Sequence, residues 1–381
     1  MPPWTLVCSA CATPESAEGR ATLCRACGQP LLVRYKALPP ESHRLRQRWD
    51  MWRYAAFLPL LDDEEPTSLG EGCTPLIELP ALADALGVRA LWVKDEGLNP
   101  TGSFKARGMS AAVTRARALG VPGLVVPTAG NAGAALAAYG AAAALPVRVY
   151  APEETPPAIL SIIRALGAEL CTVPGHIGHA GAAARSFAQE SGYFDVSTLR
   201  EPYRIEGKKT MGIELAEQLG WRFPDAIIYP TGGGTGLIGM WKVFAELRDG
   251  GWVPAASRLP RMITAQASGC APIVRAFAAG FAKAEPWENP QTHASGLRVP
   301  APLGDRLILR ALAESGGDAE SAGEAEIREA TLELSHASGV DVSPEGGCAL
   351  AVCRTLIAGR RLGRDTEVVI FNTGSGASYR A

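Results

Sequence analysis

From residue 89 onward, short apolar runs alternate with longer stretches whose apolar positions recur at helical spacing. Apolar runs of three or four residues between polar turns predict buried strands, and the stretches between them predict helices. The predicted strands are Leu91–Val93, Leu124–Val126, Val147–Tyr150, Ala226–Tyr229, Met262–Thr264 and Val368–Phe371. The predicted helices are Phe104–Leu119, Asn131–Ala144, a helix that ends at Leu166, and Leu237–Leu247. This alternation predicts an α/β fold in which helices cover parallel sheets.

The first 66 residues lack this alternation. Residues 1–36 hold four cysteines and close with the predicted strand Leu31–Val33, so they are expected to form a separate small module. A basic run through Arg48 then predicts a helix, and residues 62–66 predict an acidic loop. The chain therefore begins with two segments that differ from the α/β body.

Length and charge narrow the class of protein. A chain of 381 residues is too long for one core and predicts two or three domains. A formal charge of -2 gives no strong attraction to nucleic acid or to an anionic membrane. The most apolar stretch, residues 129–151, is interrupted by glycine, proline and arginine, and the N-terminus has no signal-peptide pattern. We expect a cytoplasmic protein that binds neither nucleic acid nor membrane.

Four polar, glycine-rich loops follow predicted strands, where open parallel sheets bind ligands. The first loop, residues 99–105, contains a Pro-Gly turn, with Ser103 as the expected helix N-cap. Lys105 then lies in the first helical turn, where the helix dipole disfavours a cation and so favours a neutral, nucleophilic amine. A solvated surface lysine is the alternative.

The other three loops offer hydrogen-bonding groups. Residues 128–133 pair two glycines with Asn131, whose amide can donate or accept. Residues 231–236 contain four glycines before a predicted helix, an arrangement whose backbone amides suit a phosphate. Residues 372–376 place hydroxyl groups after the last strand. The alternatives are an ordinary turn, a flexible linker and a polar tail, respectively.

The third loop also fits the dinucleotide fingerprint G-x-G-x-x-G, at Gly234, Gly236 and Gly239. That motif predicts an acidic residue about 20 positions later, at the end of the next strand. The next predicted strand ends near Ala265 and Gln266, without an acid. A nicotinamide cofactor is therefore disfavoured.

The order of these motifs resembles one enzyme family. Residues 69–76, L-G-E-G-C-T-P-L, resemble the pattern G-E-G-x-T-P-L, and residues 99–108 resemble N-P-T-G-S-F-K-D-R-G. Gly130 and Asn131 resemble an S-G-N loop, and residues 202–210 resemble N-P-Y-R-x-E-G-x-K-T. The chain thus resembles the tryptophan-synthase-beta-like (fold type II) pyridoxal phosphate enzymes and, among them, the threonine synthases.

The resemblance implies two three-layer domains with parallel sheets and a homodimer. It implies a large cofactor-binding domain of residues 37–110 and 205–381 and a small domain of residues 111–204. Lys105 would bind pyridoxal 5'-phosphate covalently, with Phe104 near the ring and Asn131 at its 3-hydroxyl. Thr373 would bond the pyridine nitrogen. The implied phosphate-binding residues are Gly232, Gly233, Gly234 and Thr235.

The implied substrate is a small amino acid, O-phosphohomoserine, which reacts with water to give threonine and phosphate. The expected substrate-binding residues are Thr101, Ser103, Thr128 and Arg204. The donor fork of Arg204 matches phosphate oxygens, although a structural salt bridge with Glu201 or Glu206 is the alternative.

Several positions depart from the family pattern, namely Ala106, Glu201, Lys208 and residues 293–300. Because of these departures, the alternative function is that of another pyridoxal phosphate-dependent elimination or beta-replacement enzyme. Serine or threonine dehydratases, diaminopropionate ammonia-lyases and cysteate synthases are examples. A zinc-bearing binding protein that has kept the fold and lost catalysis is the alternative from another class.

The N-terminal cysteines form two C-x-x-C pairs, which are separated by 12 residues. The four thiolates, from Cys8, Cys11, Cys24 and Cys27, suit a tetrahedral structural zinc site without an open position. Only four cations accompany them in residues 1–36, which disfavours a nucleic-acid-binding zinc ribbon. His176 and His179 are three residues apart but lack a third ligand, so a solvated loop is expected there.

Overall fold

The computed structural model describes residues 2–380. Its strands are β1 (Trp4–Cys8), β2 (Pro14–Glu15), β3 (Leu31–Tyr35), β4 (Leu76–Glu78), β5 (Ala90–Asp95), β6 (Leu124–Pro127), β7 (Val147–Pro152), β8 (Glu169–Val173), β9 (Phe194–Asp195), β10 (Ala226–Pro230), β11 (Arg261–Ala267), β12 (Asp318–Ala322) and β13 (Glu367–Asn372). Its helices are α1 (Pro80–Leu86), α2 (Lys105–Ala118), α3 (Asn131–Ala142), α4 (Pro157–Ala165), α5 (Ile177–Ser191), α6 (Tyr203–Gln218), α7 (Thr235–Asp249), α8 (Pro272–Ala278), α9 (Asp305–Glu314), α10 (Glu324–Ser338) and α11 (Pro344–Ala358). The predicted α/β fold is confirmed.

One compact unit comprises residues up to 73 and residues 99–210. Its main sheet has four parallel strands in the order β8-β7-β6-β9. Strands β6 and β7 are buried because their apolar side chains face helices, and Leu124 pairs with Val147 at the start of the ladder. Helix α3 is rich in alanine, and its small side chains let it pack closely. This sheet places the loop after β6 at the start of α3.

The second compact unit comprises residues 74–98 and 211–380. Its six strands run in the order β12-β11-β10-β13-β5-β4, and only the edge strand β4 is antiparallel to its neighbour. Strands β10 and β13 are fully buried, as the continuous apolar runs Ala226–Tyr229 and Val368–Phe371 predict. The loops after these two central strands are residues 231–236 and 372–376.

The cysteine-bearing module shares a hydrophobic core with the first unit. Its strands β1, β2 and β3 form an antiparallel sheet in the order β2-β1-β3. Trp4, Leu6 and Val33 on this sheet are buried in the same cluster as Met109 of α2 and Leu136 of α3. Because the module and α2 bury their apolar side chains together, a change in the module is expected to reach the helix that begins at Lys105.

The compact units divide the chain differently from the domain boundaries expected from sequence. The expected large domain began at residue 37, whereas residues 37–73 and 99–110 belong to the first unit. The expected domain boundaries stay a prediction. The helix predicted before Arg48 is wrong, since residues 41–48 contain no helix and the next helical segment is the 3-10 helix Met51–Phe57. Asp50 caps that segment by accepting a hydrogen bond from the Trp52 amide.

No helix among residues 2–380 is long and apolar enough to cross a membrane. The most apolar stretch of the sequence, residues 129–151, is divided between α3 and β7. A turn at residues 143–146 separates the two elements, so the apolar residues of this stretch belong to a helix and a strand of one core.

Candidate active site

Lys105 is the first residue of α2, after a tight 3-10 turn at Pro100–Gly102. Thr101 has a φ of +61°, a left-handed conformation that non-glycine residues rarely adopt. The side chain of Asn99 accepts a hydrogen bond from the Gly72 amide at 3.0 Å and fixes the start of the loop. The Nζ atom of Lys105 lies 4.5 Å from the centroid of the Phe104 ring. The loop therefore holds a half-buried amine at a helix N-terminus.

Ser103 does not cap α2 as its sequence position suggests. The N-cap residue is Phe104, and Ser103 has an extended backbone, so its hydroxyl does not reach the helix amides. The Ser103 Oγ atom is buried and has no hydrogen-bond partner within residues 2–380. A buried hydroxyl without a partner is costly unless a ligand satisfies it. The first loop thus contains one open donor two residues before Lys105.

The loop after β6 is shaped by Thr128. Its hydroxyl donates to the Gly130 carbonyl at 2.7 Å and accepts from the amides of Gly130 and Gly133 at 3.0 and 3.2 Å. Thr128 stays a predicted substrate-binding residue, and these three hydrogen bonds fix the direction of its hydroxyl. Asn131 begins α3 and is half-buried. The Thr128 contacts therefore fix the backbone that presents the Asn131 side chain.

Arg204 lies in the first turn of α6, and 2% of its surface is exposed. Its Nη1 atom donates to the Val196 carbonyl at 2.6 Å and lies 3.5 Å from the Thr198 hydroxyl. Neither carboxylate of the alternative salt bridge pairs with the Arg204 guanidinium within residues 2–380. Glu206 pairs with Lys209 at 2.7 Å, and Glu201 accepts from backbone amides at the start of α6. The Nε atom of Arg204 is buried and has no partner among the described residues. The Nη1 atom of the guanidinium is thus held by the protein backbone, whereas its Nε atom can still donate to a ligand.

Glu201 has a structural task at the start of α6. Its carboxylate accepts hydrogen bonds from the backbone amides of Tyr203 at 2.7 Å and Arg204 at 3.1 Å. Burial of the carboxyl group raises the pKa of Glu201 to about 7. Burial therefore favours the neutral form of the Glu201 carboxyl group, and two backbone amides of α6 interact with its charged form.

In the second unit, residues 231–236 connect β10 to α7 in a fixed shape. The Gln266 side chain donates to the Thr231 carbonyl at 2.9 Å, and the Thr231 amide donates to Ala265 at 2.9 Å. Gly234 is the N-cap of α7 with a φ of +73°, and a Cβ atom there would lie 2.3 Å from Ile308. Only glycine fits this position, and it offers no side chain to occupy the first amides of the helix.

A chain of contacts that sequence analysis missed supports this loop. A Cβ atom on Gly232 would lie 2.2 Å from the Gly296 carbonyl, so residues 295–297 press against the loop. The Gly296 amide donates to Glu345 at 2.8 Å, and the hydroxyl of Tyr379 donates to the same carboxylate. These contacts could not be predicted from local sequence patterns, because the contacting residues come from three segments that are far apart in the sequence.

Thr373 follows the last strand of the six-stranded sheet and is buried. The preceding residue, Asn372, donates to Asp95 at 2.8 Å and accepts from the Ser343 amide at 3.1 Å. Burial raises the pKa of Asp95. These contacts of Asn372 with β5 and with the start of α11 fix the backbone next to Thr373.

The four N-terminal cysteines converge in the first unit. Their sulfur atoms all lie within 4.8 Å of one another, and the separations include 3.4 Å for Cys8 to Cys27 and 3.6 Å for Cys11 to Cys24. Four thiolates around zinc, each about 2.3 Å from the metal, would be about 3.8 Å apart. The cluster therefore has the donor set and spacing of a closed tetrahedral metal site.

The predicted solvated loop at His176 and His179 is instead the start of α5. The His176 ring nitrogen Nδ1 accepts from the Gly178 amide at 3.0 Å, and the His179 ring accepts from the His176 amide at 3.3 Å. The pair thus caps a helix through two reciprocal hydrogen bonds. No metal-binding group that includes these histidines is found within the described residues.

Residues 67–374 match the family of pyridoxal-phosphate dependent enzymes. The match covers most of the chain, and the chain belongs to this family. It is therefore a pyridoxal-phosphate dependent lyase, and its cofactor is pyridoxal phosphate.

Relatives with 35 to 36% identity are threonine synthases. The threonine synthase of Methanosarcina acetivorans is 36% identical over 97% of this chain and 91% of its own length. That of Methanocaldococcus jannaschii is 36% identical over 88% of this chain and 82% of its own. That of Halalkalibacterium halodurans is 35% identical over 85% of this chain and 87% of its own. The chain is thus of the threonine synthase type.

Solved structures share the fold. Maize serine racemase superposes with a TM-score of 0.68 at 22% identity and covers 80% of this chain and 88% of its own. The T.th. threonine deaminase superposes with a TM-score of 0.66 at 27% identity and covers 79% of this chain and 92% of its own. The expected fold type II architecture is confirmed.

The residues present fit the cofactor. Lys105 offers a half-buried amine at a helix N-terminus, the kind of group that reacts with an aldehyde. The glycines before α7 leave backbone amides at the start of a 15-residue helix, the kind of site that binds a phosphate. The chain therefore carries an amine suited to the aldehyde of pyridoxal phosphate and backbone amides suited to its phosphate.

Proposed function

We propose that this enzyme is a threonine synthase, which converts O-phosphohomoserine and water to threonine and phosphate. The observation that carries the proposal is the buried guanidinium of Arg204, whose Nε atom has no partner within residues 2–380. A phosphate on the substrate would give this group the anion it suits, through charge-assisted hydrogen bonds. The threonine synthase relatives support the same substrate.

In this proposal Lys105 holds the cofactor covalently, and Phe104 and Asn131 contact its ring and 3-hydroxyl. Thr373 bonds its pyridine nitrogen, where a hydroxyl makes the ring a milder electron sink than a carboxylate would. The phosphate-binding residues are Gly232, Gly233, Gly234 and Thr235. When bound, the cofactor withdraws electrons from the carbons of the attached amino acid.

The amine of Lys105 is proposed to hold and move protons at the α and β carbons of the substrate. Phosphate then leaves from the γ carbon, which gains a proton and becomes the methyl group of threonine. Water adds a hydroxyl group at the β carbon, and the α carbon regains its proton. Arg204 binds the phosphate before and as it leaves. The open hydroxyl of Ser103 and the Thr101 side chain lie in the same loop as Lys105 and are proposed to orient the substrate.

The proposed substrate is tested directly with purified enzyme. Incubation with O-phosphohomoserine should release inorganic phosphate and threonine in equal amounts. A dehydratase would instead give ammonia and a keto acid from serine or threonine. The resemblance to the T.th. threonine deaminase makes the dehydratase reaction the competing outcome to measure. Ammonia and keto acid without threonine would contradict the proposal.

Replacement of Arg204 should weaken use of the phosphorylated substrate. We expect Arg204→Lys to raise KM for O-phosphohomoserine about tenfold to a hundredfold, since the bidentate donor geometry is lost while the charge remains. The measurement is steady-state kinetics, with kcat and KM determined separately. Arg310→Lys, on α9 in the second unit, is the matched control and should leave both constants unchanged.

A second readout separates binding from folding. Arg204 also holds the Val196 carbonyl, so the variant must keep the wild-type melting temperature to within a few degrees. A folded Arg204→Lys enzyme with an unchanged KM would remove Arg204 from the phosphate site.

A further inference from the structure

Helix α6 places Lys208 four residues after Arg204, and side chains at this spacing share one face of a helix. Lys208 is 1% exposed and Arg204 is 2% exposed. Such burial is unusual for lysine and arginine, because removing a charge from water is costly unless an opposite charge or a hydrogen bond compensates. The same helix face therefore carries two buried basic side chains.

Lys208 reaches the cofactor-binding lysine through Phe104. Its Nζ atom lies 4.8 Å from the centroid of the Phe104 ring, and the Nζ atom of Lys105 lies 4.5 Å from the same centroid. Gly108 makes room for this approach, since a Cβ atom there would lie 2.9 Å from the Cε atom of Lys208. The ring of one residue thus contacts both amines.

The surroundings of Lys208 disfavour the charged form of its amine. Burial lowers the pKa of Lys208, and the neighbouring Arg204 and Lys105 lower it further, whereas Glu201 opposes the shift. Glu201 itself accepts two backbone amides, and its carboxyl group has a raised pKa of about 7. These effects favour the neutral amine of Lys208, and a phosphate group beside the amine would favour its charged form again.

We propose that Lys208 is a specificity-determining residue that, together with Arg204, selects amino acids with a phosphate or phosphonate group on the side chain. This inference rests on the proposed function, because it assigns a second cationic contact to the same substrate phosphate. A doubly charged group suits a guanidinium and a nearby lysine amine better than a hydroxyl or an apolar side chain does. Lys208 would then discriminate against unphosphorylated amino acids of equal length.

The test compares two ligands of equal chain length, 2-amino-5-phosphonopentanoic acid and norvaline. Their affinities for the holoenzyme are measured by calorimetry and by the change in the cofactor absorbance spectrum. Wild-type enzyme should prefer the phosphonate. Lys208→Gln should weaken phosphonate binding by roughly tenfold to a hundredfold, the range for loss of a hydrogen bond to a charged group. The variant should bind norvaline as the wild type does.

Two further variants sharpen the comparison. Lys208→Arg keeps the charge and should retain most of the phosphonate preference. Lys283→Gln, which removes an exposed lysine from the second unit, should change neither affinity. An unchanged phosphonate affinity in Lys208→Gln, or an equal loss for both ligands, would overturn the inference.

The outcome also separates this inference from the proposed reaction. If the phosphonate preference depends on Lys208 but O-phosphohomoserine yields no threonine, the inference stands and the threonine synthase proposal fails. If O-phosphohomoserine yields threonine while Lys208→Gln binds the phosphonate normally, the proposed function stands and the inference fails.

Discussion

Lys105→Ala should abolish catalysis and the covalent attachment of the cofactor. The variant loses the amine that binds the cofactor and the group that moves protons at the substrate carbons. General acid–base catalysis alone contributes about 10²–10⁴-fold, so we expect kcat/KM to fall by about 10⁴-fold or more. The measurements are the release of phosphate from the substrate and the visible absorbance of the purified protein.

A matched lysine replacement serves as the control for effects on folding and on cofactor binding. Lys283→Ala removes an exposed lysine and should leave the rate and the colour unchanged. The Lys105→Ala protein should keep the melting temperature of the cofactor-free wild type, because the Lys105 side chain is half-buried at the first turn of α2. Wild-type turnover in Lys105→Ala would exclude Lys105 as the catalytic residue.

Loss of the metal at the N-terminal cysteines should destabilise the whole first unit. We expect about one zinc ion per chain by metal analysis, as four thiolates at this spacing suit one ion. Structural zinc binding is worth about 10–16 kcal/mol in small modules. A loss of 1 kcal/mol lowers the melting temperature of a unit of this size by about 2–4 °C. Loss of only part of the zinc-binding energy in Cys24→Ser should therefore lower the melting temperature by roughly 10 °C or more.

The effect should extend beyond the module because its strands share a core with α2 and α3. The Tyr35 hydroxyl also donates to Glu206 on α6 at 2.7 Å, so the module contacts the helix that carries Arg204. Cys171→Ser, in β8 and outside the cluster, is the control and should retain zinc and stability. A Cys24→Ser protein with an unchanged melting temperature would show that the metal does not support this unit.

Much of the fold is predictable from sequence because each central strand is a continuous apolar run. Such a run has few folded alternatives once helical stretches flank it. The four loops were likewise visible, since glycine at positions such as Gly234 signals a backbone that other residues cannot adopt. Local rules therefore located the loops that carry Lys105, Asn131, the glycines and Thr373.

Other features depend on contacts between distant segments. From sequence, Lys208 was a departure from a family pattern and Glu201 was also a possible salt-bridge partner of Arg204. The four-residue spacing of Lys208 from Arg204 on α6 was a usable signal. The packing of Trp4 beside α2 and the chain from Gly296 to Tyr379 have no local signature. Ser103 was misjudged because the sharp turn before it moves the start of the helix by one residue.

The central claim is that Lys105 is the residue covalently linked to pyridoxal phosphate. Borohydride reduction of the holoenzyme fixes such a link permanently, and peptide mass spectrometry then identifies the modified lysine. The account predicts a single pyridoxyl group on the peptide that contains Lys105. A label on Lys208 or another lysine, with Lys105 unmodified, would contradict it.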